Sequence, residues 1–319
     1  MPNRPNRLPV VARSSALLLA AVVAAACSNS SPSPSTSAAP PSGSPTAGAS
    51  ASPIPSSGPT VGAIEHSTAA TDIVLRLEQG GGFVPIEYLA TQAPSFTLYG
   101  NGVVVFQQTP TVFPQPDANG VLKQIPWRTA TLDEGQIQEL LEFALGQGGL
   151  GTAQDSYLAG GVADVPDTIF TIRAGGVDKK VVVSALGMDT VTGPDTAARA
   201  AFSKLAARLQ DFDRGGSIDT DVYQADRSRG ILTERVTEPG ITVVEWPWPA
   251  FKPADFKPGA NDGSGTGAPI APHRTMTADE VAALKLTGIE GGVQGLTLRG
   301  PDNTTYSFAT RPLLVDEKE

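Results

Sequence analysis

The run from Asp72 to Phe106 constrains the fold more than any other part of the chain. Asp72-Ile-Val-Leu-Arg-Leu-Glu78 alternates, with Ile73, Leu75 and Leu77 on one side and Arg76 and Glu78 on the other. That is the period of a half-buried strand. Ser95 to Phe106 then sets Asn101-Gly102 between two β-rich runs, the signature of a tight two-residue hairpin turn. Between these pieces, Gly80-Gly81-Gly82 follows a strand as a phosphate loop would, but neither a Lys-Ser/Thr pair nor a helix comes after it. It reads as a bulge or tight reversal where backbone approaches closely. An antiparallel sheet begins here.

Later segments repeat the same grammar. Thr131-Leu-Asp-Glu134 reads as a capping box, and Ile137, Leu140, Leu141 and Leu145 give the helix behind it one apolar face. A second hairpin turns at Gly175-Gly176, between Thr168–Arg173 and Lys180–Ser184. Pro194 opens another helix, predicted to bury Ala198, Ala201, Phe202, Leu205, Leu209 and Phe212 and to expose Arg199, Lys204 and Arg208. Beyond Gly215-Gly216, Ile241–Glu245 is strand-like, Thr277-Ala-Asp-Glu280 is a second capping box, and Leu296 to Phe308 is a third hairpin. The expectation is an α+β protein with antiparallel sheets and short packed helices, in two small domains at 64–216 and 217–319.

The N-terminus reads as an address. Arg4, Arg7 and Arg13 form a basic region, and Ser14 to Ala26 is an uncharged apolar stretch of 13 residues. It is too short to span a bilayer comfortably. Residues 1–26 are expected to be a signal peptide ending at Cys27, the single cysteine of the chain. Small residues before a lone cysteine resemble a bacterial lipoprotein processing site, which implies lipidation of Cys27 and a membrane partner reached through it. Residues 27–63 are expected to be a disordered linker, because Ser28 to Thr60 is nearly all Ser, Pro, Ala, Gly and Thr and carries no charge. Without a second cysteine, no internal disulfide is available. Loss of the three leader arginines takes the formal charge from −9 to −12, which argues against nucleic acid as a partner.

Gly82-Phe83 with Pro85, Leu98-Tyr99-Gly100-Asn101-Gly102, Leu140-Leu141, Ser156-Tyr157 and Asp164-Val-Pro166 together resemble a family of uncharacterised bacterial envelope lipoproteins. The resemblance covers roughly residues 72 to 213. It implies a fold and an extracytoplasmic location but no activity, since the family has none agreed. The cysteine pair common around that family's Gly-Phe turn is missing here, and any redox or metal role tied to it is missing too.

The candidate chemistry is sparse. Gly146-Gln-Gly-Gly-Leu-Gly151 has dinucleotide-motif spacing but ends a helix instead of joining a strand to one, so it reads as a helix stop. Gly263-Ser-Gly-Thr-Gly267 lies in a long Pro/Gly loop and reads as flexible, not as a nucleophile elbow. His66 and His273 are far apart in sequence, a poor start for a zinc site. Asp211, Asp213, Asp219, Asp221 and Asp226 read as a solvated acidic junction, with a weak Ca²⁺ loop at Asp219 the alternative. Trp246-Pro-Trp248-Pro-Ala-Phe251 is the densest aromatic cluster. Trp246, Trp248 and Phe251 either plug an interface between the two domains or contact an envelope protein or glycan.

No catalytic, cofactor or metal residues are assigned. The expected function is binding or scaffolding by a lipid-anchored envelope protein. The alternative is an envelope enzyme acting on cell-wall or glycan substrates through paired carboxylates. Replacing Cys27 by Ala is predicted to shed the protein into the medium. Unchanged retention in the membrane fraction, measured by blotting both fractions, would remove the anchor.

Overall fold

A computed structural model describes residues 62–82, 90–159, 164–188, 193–236, 239–258 and 271–317. The expected signal peptide, Cys27 and all of the expected linker except Gly62 and Ala63 lie outside these residues, as do Phe83, Pro85 and Gly263–Gly267. The chain begins with β1 (Ile73–Gly81), β2 (Phe96–Tyr99), β3 (Val103–Phe106), β4 (Leu122–Lys123) and β5 (Arg128–Thr131). Helix α1 (Glu134–Leu145), β6 (Ser156–Tyr157), β7 (Pro166–Ala174), β8 (Val177–Ser184) and α2 (Thr196–Gln210) follow. The remainder is β9 (Asp221–Val222), β10 (Arg227–Glu234), β11 (Val244–Glu245), β12 (His273–Thr277), α3 (Ala278–Ala282), β13 (Val293–Arg299) and β14 (Thr305–Pro312). The protein is α+β.

Two sheets result. The first has the order β6-β8-β7-β1-β2-β3-β5-β9, and the second runs β11-β13-β14-β10-β12 with β4 added against β13. Pairing is antiparallel except at the short β6–β8 and β11–β13 edges. The division placed between residues 216 and 217 is crossed in both directions. β9 pairs with β5 in the first sheet, and β4 pairs with β13 in the second. Residues Gly58–Glu319 group as one compact unit.

The three hairpins form where their turns were read. Gly102 sits at φ 82° and donates its N–H to the Tyr99 carbonyl at 3.0 Å. A side chain there would also meet the Leu132 carbonyl at 2.6 Å, so only glycine serves. The strands of this hairpin are buried on both faces. Phe96, Leu98, Val104 and Phe106 face the core under α1 and α2, while Tyr99, Val103 and Val105 pack with Trp127 and Leu314 on the other side.

Two local expectations are corrected. The N-cap of α1 is Asp133, not Thr131: Asp133 Oδ1 accepts from the Gln136 N–H, and the Gln136 amide oxygen accepts from the Asp133 N–H, each at 2.9 Å. Thr131 is instead the last residue of β5, held in the ladder against Val103. Arg199 is not outward. It is 8 % exposed and donates to the carbonyls of Ser184 and Tyr157, tying α2 to two strand ends. Its charge disguised a buried hydrogen-bonding role. The second capping box forms as read, with Thr277 and Glu280 bonding reciprocally.

The sheets are fastened together by two adjacent acids. Asp316 Oδ1 accepts from Arg76 Nη2 at 2.7 Å and from the Tyr99 hydroxyl at 2.5 Å, both on the first sheet. Burial works against the Arg76 charge, but the Asp316 hydrogen bond and charge outweigh it and raise the guanidinium pKa. Burial and then Asp316 push the Tyr99 hydroxyl up as well. Glu317 turns to the second sheet. Its carboxylate accepts from Arg311 Nη1 and Nη2 at 2.8 and 2.6 Å and from the Leu314 N–H at 2.8 Å, with Arg229 Nη2 at 4.0 Å. Arg229 and Arg311 face each other across the β10–β14 ladder. Like charges opposed in this way repel, and Glu317 supplies the counter-charge.

Burial pushes the Glu317 carboxyl up, but the Arg311 hydrogen bonds and charge, the Leu314 amide and Arg229 outweigh it and hold it below the usual glutamate range. A depressed folded pKa stabilises above the unfolded value, about 4.3, and that contribution is lost as pH falls through the folded value. Glu317→Ala strands Arg311 and is predicted to cost ~3–5 kcal/mol in urea unfolding near neutral pH. Glu317→Gln should in addition flatten the loss of stability on acidification below about pH 4.3. A wild-type acid profile in Glu317→Gln would refute the clamp.

Candidate functional site

The clefts and the buried polar groups are where chemistry could reside, and the aromatic cluster comes first because the sequence singled it out. Trp248 is 3 % exposed and Phe251 is buried, and both join Phe256, Leu298, Tyr306 and Phe308 in the core of the second sheet. The Trp246 indole N–H donates to the Phe251 carbonyl at 2.9 Å, and that of Trp248 donates to the Glu280 carbonyl at 2.6 Å. The rings also engage one another, with Trp246 edge-on to Trp248 at 5.0 Å and Trp248 stacked on Phe251 at 5.1 Å. Arg274 closes the far face of Phe251, its guanidinium 3.9 Å from the ring centre. The polar handles a ligand would use are therefore taken up internally.

What these residues leave open is a surface depression of about 590 Å³, walled by the cluster and by Glu245, Lys252, Asp255 and Arg299. Its two carboxylates have structural partners. Glu245 lies 3.9 Å from Arg299 Nε, and Asp255 accepts from the Lys252 N–H at 2.9 Å to cap a short 3-10 turn.

A second cleft, of about 750 Å³, opens between the two sheets and was not read from the sequence. Gln79 reaches it from β1, and Gln107 and Gln108 from the end of β3. Gln92 precedes β2, Gln124 lies between β4 and β5, Gln210 ends α2, and Gln294 comes from β13. Seven carboxamides thus line one cavity. Three are held in place: Gln107 donates to the Pro94 carbonyl at 3.4 Å, Gln108 to Asp213 at 2.7 Å and Gln294 to the Thr91 hydroxyl at 2.8 Å. No hydrogen bond engages the side chains of Gln79, Gln92, Gln124 or Gln210 among the described residues.

The remaining wall is mixed. Trp127 is buried and stacks on Tyr223 at 6.1 Å, and the Tyr223 hydroxyl, pushed up to about 12 first by burial, donates to the Leu313 carbonyl. Phe113 stands at the mouth, 70 % exposed. Thr310 and Arg311 line the cleft from β14, and the Thr310 hydroxyl has no hydrogen-bond partner among the described residues. Among the described residues Arg311 is the one ionisable side chain of this lining, and Glu317 already neutralises it. Gly291, just before β13, lets the chain at Ile125 pass close by, where a Cβ would collide with the Ile125 carbonyl.

The other sequence candidates are dispersed. His66 Nδ1 bonds the Ser67 carbonyl at 2.7 Å and Nε2 lies 3.3 Å from Glu134, whereas His273 sits in β12 with Nδ1 3.1 Å from the Ala271 carbonyl. Asp213 is buried, accepting from Gln108, while Asp221 is drawn into β9. Among the described residues, no three His, Cys, Asp or Glu side chains converge as metal ligands would. The Gly146–Gly151 run does end α1, with the Gly146 N–H on the Glu142 carbonyl and Gly149 left-handed. No described helix is long and apolar enough to cross a membrane. No family model matches the sequence, and no curated protein or solved structure shows significant similarity to it.

Trp248 is predicted to act as a core residue. Trp248→Ala should lower stability by ~3–5 kcal/mol in urea unfolding, with little change in m. A loss below about 1 kcal/mol would return Trp248 to the pool of surface contacts.

Proposed function

We propose that this chain is a binding protein of the bacterial envelope, tethered through a lipid on Cys27, and that its ligand occupies the cleft between the two sheets. One observation carries the reading: seven glutamine side chains from six separate parts of the fold converge on a single cavity of about 750 Å³, four of them with their amide groups uncommitted. A cavity with a few convergent polar groups on a rigid scaffold is the usual form of a ligand site. Carboxamides hydrogen-bond well but do not titrate near neutral pH, so they hold a molecule without supplying a general acid or base. Among the described residues, no pair of acids of the kind that glycoside hydrolysis needs belongs to this lining.

The anchor and the stalk fit the same reading. A linker rich in Pro and Ser keeps a head group clear of the membrane, and the leader resembles a lipoprotein signal. Mature protein in detergent is predicted to take up a component of its own envelope extract and release it chemically unchanged, as judged by mass spectrometry of the bound and eluted material. Gln124→Trp, which fills the cleft, should abolish the uptake. Recovery of a cleaved or modified product with turnover would favour the enzyme reading, and undiminished uptake by Gln124→Trp would move the site elsewhere.

A further inference from the structure

The inter-sheet cleft also carries information about what it holds, and this step rests on the reading of that cleft as the binding site. An amide side chain offers both a donor and an acceptor at fixed separation. Its natural complement is a ligand whose groups are both donors and acceptors, as hydroxyls are. Gln79 and Gln124 face the cavity with both functions unused, and the Thr310 hydroxyl is buried in its wall without a partner among the described residues.

Charge narrows the class. An anionic ligand would need an unneutralised cation, and a cationic one a carboxylate. Among the described residues the one ionised side chain in the lining is Arg311, which already donates two hydrogen bonds to the Glu317 carboxylate at 2.8 and 2.6 Å. The lining therefore discriminates against net charge of either sign. Shape and apolar surface narrow it again. Phe113 projects at the mouth with 70 % of its surface exposed, and Trp127 forms part of the wall. Flat aromatic faces beside amide groups suit a molecule with alternating C–H faces and hydroxyl edges. A peptide would instead ask for a free strand edge; beside Gln79, β1 is paired with β7 while its ladder with β2 ends at Leu77, so peptides are the competing class in the test. We infer that the inter-sheet cleft binds an uncharged carbohydrate chain, its hydroxyls bonded to Gln79 and Gln124 and a sugar face laid on Phe113.

The test titrates mature, lipidated protein in detergent with short neutral oligosaccharides built from glucose, galactose, mannose or arabinose, alongside uronic-acid oligosaccharides and short peptides. Saturable binding to at least one neutral oligosaccharide is expected by calorimetry, with an affinity insensitive to salt because no ionic attraction is involved. Gln79→Leu and Gln124→Leu should each weaken it by roughly 5-fold, the effect of losing one hydrogen bond, and Phe113→Ala should weaken it as well. These side chains make no bonds within the fold, so the melting temperature should stay put and report intact protein. Binding confined to the acidic sugars or to peptides, or an affinity that collapses with added salt, overturns the carbohydrate assignment. If that binding is still lost in Gln124→Leu, the cleft survives as the site. Neutral sugars bound equally well by all three variants overturn both readings. Failure of every saccharide to bind overturns the carbohydrate assignment, and uptake from envelope extract by wild type but not Gln124→Trp then decides for the cleft independently.

Discussion

Two neighbouring carboxylates hold this architecture together. Asp316 answers a cation and a phenol on the first sheet, while Glu317 answers an arginine pair on the second. Each sheet has an apolar core of its own, one beneath α1 and α2 and the other around Trp248 and Phe308. Between them lie the apolar cluster of Tyr99, Val105, Trp127 and Leu314 and the hydrogen bonds centred on Asp316. Buried ion pairs of this kind add little net stability compared with apolar packing, but they are costly to break.

The placement of the two sheets creates the cleft and sets its electrical character. β14 carries Thr310 and Arg311 into the wall, and β13 brings Gln294 across to Thr91. The clamp that positions Arg311 also cancels its charge, so one carboxylate serves both the scaffold and the lining of the cleft. The aromatic cluster lies within the second core, where its indoles donate to nearby carbonyls and support the sheet.

Local features were legible and long-range ones were not. The hairpins at Asn101-Gly102 and Gly175-Gly176 announced themselves because turn chemistry and strand alternation coincide within a dozen residues. β10 went unread although it is central to the second sheet, since Arg227 and Arg229 alternate with polar Ser228 and look solvated. Their partner lies far along the chain: Arg227 donates to the Glu317 backbone carbonyl, and Arg229 lies 4.0 Å from its carboxylate. Arg199 misled for the same reason, because the carbonyls it satisfies belong to other elements. Asp133 displaced Thr131 as a cap once pairing with β3 drew Thr131 into a strand. The glutamine cleft left no local motif at all. Its residues run from Gln79 to Gln294, and only the interlocking of β4 and β9 with the opposite sheets brings them together.

The bond between Arg76 and Asp316 joins positions 240 apart in sequence. Such a contact requires closure of a very long loop, and chains dominated by distant pairings fold slowly. The opening hairpin is free to form early. Burial of Arg76 must wait, because a cation enclosed before its counter-ion arrives is heavily penalised. During synthesis, then, the first sheet has to idle with one face uncovered until the segment at 313–317 emerges. Delayed closure of this sort leaves that face of the first sheet open to solvent for as long as its clamp is missing.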